Sequence, residues 1–146
     1  MAVNLSARQV QRPEIVEDVR SILVSTGLDP ELLILEITES VMMQDMDLSI
    51  VRLGDLKALG VKLAIDDFGT GYASLGHLKR FPVDSLKIDR TFVSGLGTDP
   101  DDRVIAAAVI GLAHALGVTA VAEGVETEIQ VNELRALRWA DPRPPA

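Results

Sequence analysis

The sequence predicts an α/β fold built on a parallel sheet, and three observations carry that prediction. Short apolar runs of strand length alternate with longer segments whose apolar residues recur at helical spacing. A pattern of helix, glycine, strand and carboxylate occurs twice: Lys57-Ala58-Leu59-Gly60-Val61 leads into an apolar run ending at Asp66, and His114-Ala115-Leu116-Gly117-Val118 leads into one ending at Glu123. Within the strand-like runs, large apolar side chains alternate with small or polar ones, so the two faces of the sheet differ.

Taken in order, Ala2 to Leu5 reads as a strand with Asn4 opposing Val3 and Leu5, and Pro13 to Ser25 as a helix. Leu32 to Thr38 is the second strand, with Glu36 opposing Leu35 and Ile37, and Asp45 to Leu59 the second helix. Gly60 suits the left-handed position that ends such a helix. Lys62 to Asp66 is the third strand, followed by a helix over Tyr72 to Arg80. Ser85 to Asp89 places Lys87 between Leu86 and Ile88. A helix over Asp101 to Leu116 stops at Gly117, Thr119 to Glu123 is the fifth strand, and Thr127 to Leu137 the last helix.

An open, doubly wound sheet buries both faces under helices and is apolar on both. Here the second face carries small and polar groups, which suits the inside of a barrel. The expected architecture is a partial TIM-type (β/α) barrel, about five βα units of an eight-stranded one. Active sites of such barrels gather at the C-terminal ends of the strands.

Composition narrows the function. Aromatic residues are only 3% while hydrophobic residues are 47%, so the core must be aliphatic. A net charge of -8 repels polymeric nucleic acid, which removes DNA and RNA from the expected partners. The absence of cysteine excludes disulfides and thiolate metal sites and fits a cytoplasmic location. No basic stretch followed by an apolar one opens the chain, so no signal peptide is read. Val104 to Ala122 has the length of a membrane span, but Gly117 divides it and His114 interrupts it, so it reads as a buried helix plus a strand.

Glu36, Asp66, Asp67 and Glu123 are expected to meet at one rim, where their charges need compensation. At an effective dielectric near 20, two carboxylates about 4 Å apart repel by about 4 kcal/mol. Lys87 supplies one positive charge, and divalent cations would supply the rest; an all-oxygen set suits Mg²⁺ or Mn²⁺ rather than zinc. The bland alternative is a set of separated or protonated surface carboxylates. Asp66 is expected to end its strand pointing inward and Asp67 to begin the loop, so that together they flank a metal pair able to cleave a phosphate ester. Lys87 would orient the nucleophile or stabilise charge on the phosphate.

In Asp67-Phe68-Gly69-Thr70-Gly71, Gly69 and Gly71 permit positive φ and close backbone approach to a ligand. No kinase catalytic loop accompanies this Asp-Phe-Gly. His77 and His114 have no metal-binding spacing and read as structural. Residues 138–146 match no element, and their prolines suggest a disordered tail.

The motifs Asn4-Leu5-Ser6, Leu35-Glu36-Ile37-Thr38-Glu39, Asp66-Asp67-Phe68-Gly69-Thr70-Gly71, Leu86-Lys87-Ile88-Asp89 and Ala122-Glu123-Gly124-Val125-Glu126 resemble those of the EAL domain family. The resemblance implies a phosphodiesterase of bacterial second-messenger signalling, hydrolysing cyclic di-GMP to linear pGpG with two Mg²⁺ or Mn²⁺ ions. It implies Asn4, Glu36, Asp66, Asp67 and Glu123 as metal ligands. Lys87, Glu123 and Asp66 would carry the chemistry, with Lys87 holding the nucleophilic water. Glu39 resembles the glutamate that steadies the glycine loop, and Glu126 a second supporting carboxylate. No substrate-contacting residue is assigned.

Two departures from the family stand out. Its naming Glu-Ala-Leu motif should lie upstream of Asn4, and its Gln-Gly strand should follow where this chain has Arg138-Trp139-Ala140-Asp141-Pro142. The expectation is an EAL-type domain over residues 1–137, incomplete at both ends, with impaired turnover. Unpaired parallel edges would then favour self-association, pairing with a chain that supplies the missing strands, or marginal stability, and the family resemblance implies a dimer. A non-catalytic module binding cyclic di-GMP or a protein, or an inert remnant, is the competing reading, and whether this chain alone is an enzyme stays open between them.

Overall fold

The computed structural model describes residues 1–69 and 74–138. Five strands, β1 (Ala2–Asn4), β2 (Ile34–Thr38), β3 (Lys62–Phe68), β4 (Ser85–Ile88) and β5 (Thr119–Ala122), form one sheet in sequence order. The pairings of β1 with β2 and of β4 with β5 are parallel. The expected parallel α/β sheet is therefore present, with β1 and β5 at the ends of its order.

Among the described residues, 1–65 and 74–84 form one compact unit, and 66–69 with 85–138 the other. In the first, α1 (Ala7–Gln11), α2 (Ile15–Thr26), α3 (Glu39–Gln44), α4 (Met46–Ala58) and α5 (Leu75–Leu78) accompany the strands. Leu35, Ile37, Leu53, Leu56, Leu63 and Ile65 are almost fully excluded from water, each contributing about 1.5–3 kcal/mol. Lys57 on α4 pairs with Asp84, whose carboxylate also accepts from the Leu63 N–H at 2.8 Å. That contact fixes the start of β3 in the unit. All three residues of β1 are exposed, and an apolar groove lined by Val3, Leu5, Val19 and Ile22 runs beside it.

In the second unit, α6 (Arg90–Ser94), α7 (Pro100–Leu116) and α8 (Glu128–Ala136) follow β4 and β5. α7 packs on both strands, with Ala106, Val109, Ile110 and Ala113 buried. Its ends match the chemistry of the sequence: Asp99 caps it, Pro100 occupies the first turn, and Gly117 stops it at φ 70°. The apolar run Val104 to Ala122 is thus a helix and a strand, and among the described residues no helix is long and apolar enough to cross a membrane.

The structure corrects the sequence reading in three places. β2 begins at Ile34 rather than Leu32, because Asp29 caps a 3₁₀ turn over Pro30–Leu32. β3 does not end at Asp66 but runs on to Phe68, so Asp67 lies inside the strand, at φ 53°, rather than opening the loop. The short helices α1, α3 and α6 were not anticipated; they begin at the caps Ser6, Thr38 and Asp89. The expectation for Gly71 and nearly all of the expected tail lie outside the described residues.

Candidate active site

The second unit brings four of the expected residues together. Strand β4 carries Lys87 between the fully buried Leu86 and Ile88, on the opposite face of the strand from them, and only 10% of its side chain is exposed. Its Nζ forms a close ion pair with Glu123 Oε1 and lies 3.6 Å from Asp66 Oδ1. Glu123 is placed just past β5, its N–H pointing to the Ile88 carbonyl at 3.4 Å, which extends the β4–β5 pairing by one step. Asp66, Asp67 and Glu123 each offer an oxygen within 4.8 Å of the others.

Asp67 is the unusual member. Its backbone takes the left-handed conformation, which aspartate tolerates better than most residues, and its N–H donates to Asp66 Oδ1 at 2.9 Å. A hydrogen bond with the Asp89 side chain raises its pKa from 3.8 to about 6, reinforced by burial and by the charges of Asp66, Asp89 and Glu123. Asp89 is held below the ordinary carboxylate range, first by its hydrogen bond with the Thr91 side chain, and it also accepts from the Thr91 N–H at 2.8 Å while capping α6. Of the two hydrogen-bonded aspartates, Asp67 is therefore the one that takes up a proton first as pH falls. Several negative charges meet one lysine here, and below about pH 6 a proton on Asp67 offsets part of the deficit.

That deficit is what a cation would fill. Three carboxylates from β3 and the end of β5 form a hard, all-oxygen donor set, which fits a hard divalent cation and not a soft metal. Gly69 turns the chain out of β3 at φ 99°, as expected for this glycine, and an added Cβ there would meet the Phe92 ring at 3.4 Å, an ordinary contact distance.

The remaining expected residues have other surroundings. In the first unit, Asn4 on β1 is exposed and in register with the buried Glu36 on β2. Glu39, only 4% exposed, opens α3, where a carboxylate also suits the helix dipole. In the second unit, Glu126 does not join the carboxylate cluster: it pairs with Arg90 Nη2 at 2.8 Å, and its N–H donates to Gln130 Oε1 at 2.7 Å. Asp89 and Arg90 were given no role by the sequence reading. Asp89 stood in a quoted motif, and its place immediately before a helix was the available signal.

Comparison with known proteins points to one family. The profile described as "EAL domain" matches residues 1–140. The bifunctional diguanylate cyclase/cyclic di-GMP phosphodiesterase MucR of Pseudomonas aeruginosa is 50% identical over 137 residues, 94% of this chain and 20% of its own length. The cyclic di-GMP phosphodiesterase NbdA of the same organism is 45% identical, over 92% of this chain and 17% of its own length. This chain thus spans about a fifth of these relatives.

Among solved structures, a Pseudomonas MucR phosphodiesterase in complex with c-di-GMP superposes with a TM-score of 0.89 at 51% identity, covering 93% of this chain and 55% of that one. Klebsiella pneumoniae BlrP1, solved as a manganese/c-di-GMP complex, gives 0.83 at 35% identity, covering 93% and 35%. A calcium complex of BlrP1 is also similar. The likeness spans the strands that carry the carboxylates and the lysine, and this chain belongs to the EAL domain family.

Proposed function

We propose that this chain is the carboxylate-bearing part of a cyclic di-GMP phosphodiesterase, acting on the phosphodiester to give linear pGpG with Mg²⁺ or Mn²⁺ as the cation. The observation that carries the reading is the meeting of Asp66, Asp67 and Glu123 around the buried Lys87 ammonium. The two named relatives support the substrate, and the manganese complex supports the cation class.

Asp66, Asp67 and Glu123 would hold the cation, and by the family's motifs Asn4 and Glu36 would add ligands. When bound, it supplies polarisation of the phosphoryl oxygen and a more acidic water. Lys87 keeps Asp66 and Glu123 in place without a cation and presents a positive charge to the substrate phosphate or its attacking water. Asp67 joins the full set of carboxylates above about pH 6, where it is ionised, and Asp89 keeps it oriented. Glu39 and Gly69 support the loop after β3 in this reading, with Glu126 and Gly71 as further supporting positions. Turnover by the isolated chain is expected to be slow in this reading. Association of two copies along the exposed β1 edge belongs to the same reading and is read by sedimentation.

The test is incubation of the purified chain with cyclic di-GMP and Mn²⁺ or Mg²⁺ beside Asp66→Ala, with pGpG followed by chromatography. Product from the wild type and not from the variant supports the reading. Equal product from both would sink it, while binding without product would assign the chain to ligand capture.

A further inference from the structure

We propose that Arg90 is a positioning residue for Glu123, acting through Gly124 and Glu126; the proposal rests on the cation-binding reading of the site. Arg90 opens α6, three residues after Lys87, and its side chain crosses the loop between β5 and α8. A Cβ added at Gly124 would lie 2.6 Å from Arg90 Cγ, 3.0 Å from Cδ and 3.2 Å from Nε. Three consecutive atoms of the arginine stem therefore rest on one backbone position, which only glycine leaves open. Gly124 also sits at φ 69°, so the loop shape and the cover depend on the same residue.

Both ends of this loop are anchored, and its middle is where the arginine acts. The Glu123 N–H makes the last, long contact with the Ile88 carbonyl, and sheet pairing stops there. At the far end, Gln130 Oε1 accepts from the N–H groups of Glu126 and Thr127, at 2.7 and 3.1 Å. Between them, the arginine stem covers Gly124 and its guanidinium holds Glu126 at 2.8 Å. An exposed ion pair of this kind contributes little to stability. Its effect is geometric: with Gly124 pinned, the adjacent Glu123 keeps the direction that places its carboxylate on Lys87 and beside Asp66 and Asp67. Groups that orient a ligand from outside the coordination sphere shift metal affinity about 10–100-fold when removed.

The experiment uses the whole chain and its Arg90→Ala and Arg90→Lys variants, with two readouts. Mn²⁺ affinity is measured by calorimetry, and hydrogen exchange at the amides of Gly124 to Glu126 is measured without metal. Arg90→Ala should bind Mn²⁺ about tenfold more weakly and exchange faster across this loop, with an unchanged melting temperature. Arg90→Lys, which keeps the stem and the charge, should restore both. Wild-type affinity and wild-type exchange in Arg90→Ala would overturn the proposal, as would a failure of lysine to restore them. Should the wild-type chain take no Mn²⁺, the cation reading fails on its own, and the exchange measurement still decides whether Arg90 fixes the loop.

Discussion

β3 and β5 each follow a helix stopped by a left-handed glycine, and each delivers carboxylate to the candidate site, yet they are unlike as strands. β3 has seven residues, four of them buried, and lies inside the sheet order; β5 has four, only Ala120 buried, and lies at its end. Their acids are compensated differently as well. Glu123 after β5 is held by the Lys87 ammonium, whereas Asp67 within β3 has its pKa raised to about 6, first by its hydrogen bond with Asp89. A local glycine stop sets where a strand begins. Its length and the state of its carboxylate come from what lies beside it.

The largest test of this contrast is Lys87→Met, which leaves Glu123 and Asp66 without their counter-charge in a partly buried place. We expect a loss of about 3 kcal/mol in urea denaturation of the metal-free chain, partly recovered by Mn²⁺. A smaller effect would mean that water or a proton replaces the ammonium at Glu123.

The two glycine stops can then be set against each other. Gly60 is at φ 96°, and an added Cβ would meet Pro30 Cβ at 3.1 Å; Gly117 is at φ 70° with open space around it. Gly117→Ala should cost about 1 kcal/mol from backbone strain alone, and Gly60→Ala about 2 kcal/mol with the added crowding. Equal losses in thermal unfolding would show that the proline yields freely.

Much of this contrast was legible in the sequence. The repeated glycine and carboxylate, the alternation around Lys87 and the apolar spacing of α7 are local signals, and local physics fixed them. The one-turn helices α1 and α6 were not, because five residues do not complete an apolar period, although Ser6 and Gln9 spell a capping box. The extension of β3 through Asp67 was hidden too, since a left-handed aspartate inside a strand depends on its contacts with Asp66 and Asp89. The same holds for Glu126, whose partner Arg90 is distant in sequence.

The smallest effects concern Asp67. Its pKa rises from 3.8 to about 6 on folding, so between these values the folded chain holds more protons than the unfolded one. Its contribution to stability therefore falls as pH rises through that window, while Mn²⁺ affinity should rise over the same window as the competing proton leaves. Asp67→Asn should abolish this pH dependence of affinity and leave the metal-free chain slightly more stable, by less than about 1 kcal/mol, as read from its melting temperature. An unchanged pH profile would assign the titration to another group.

Strand order that equals sequence order has a consequence for synthesis. Ala2 pairs with Ile34, and Ser85 with Thr119, so each of these partners leaves the ribosome within a few tens of residues of the other. No strand waits for the far end of the chain before finding a neighbour. Loop closure over such spans costs little more than over shorter ones, so βα units can join the growing sheet one at a time during translation. The carboxylate site matures last, because Glu123 must emerge before Lys87 has its close partner.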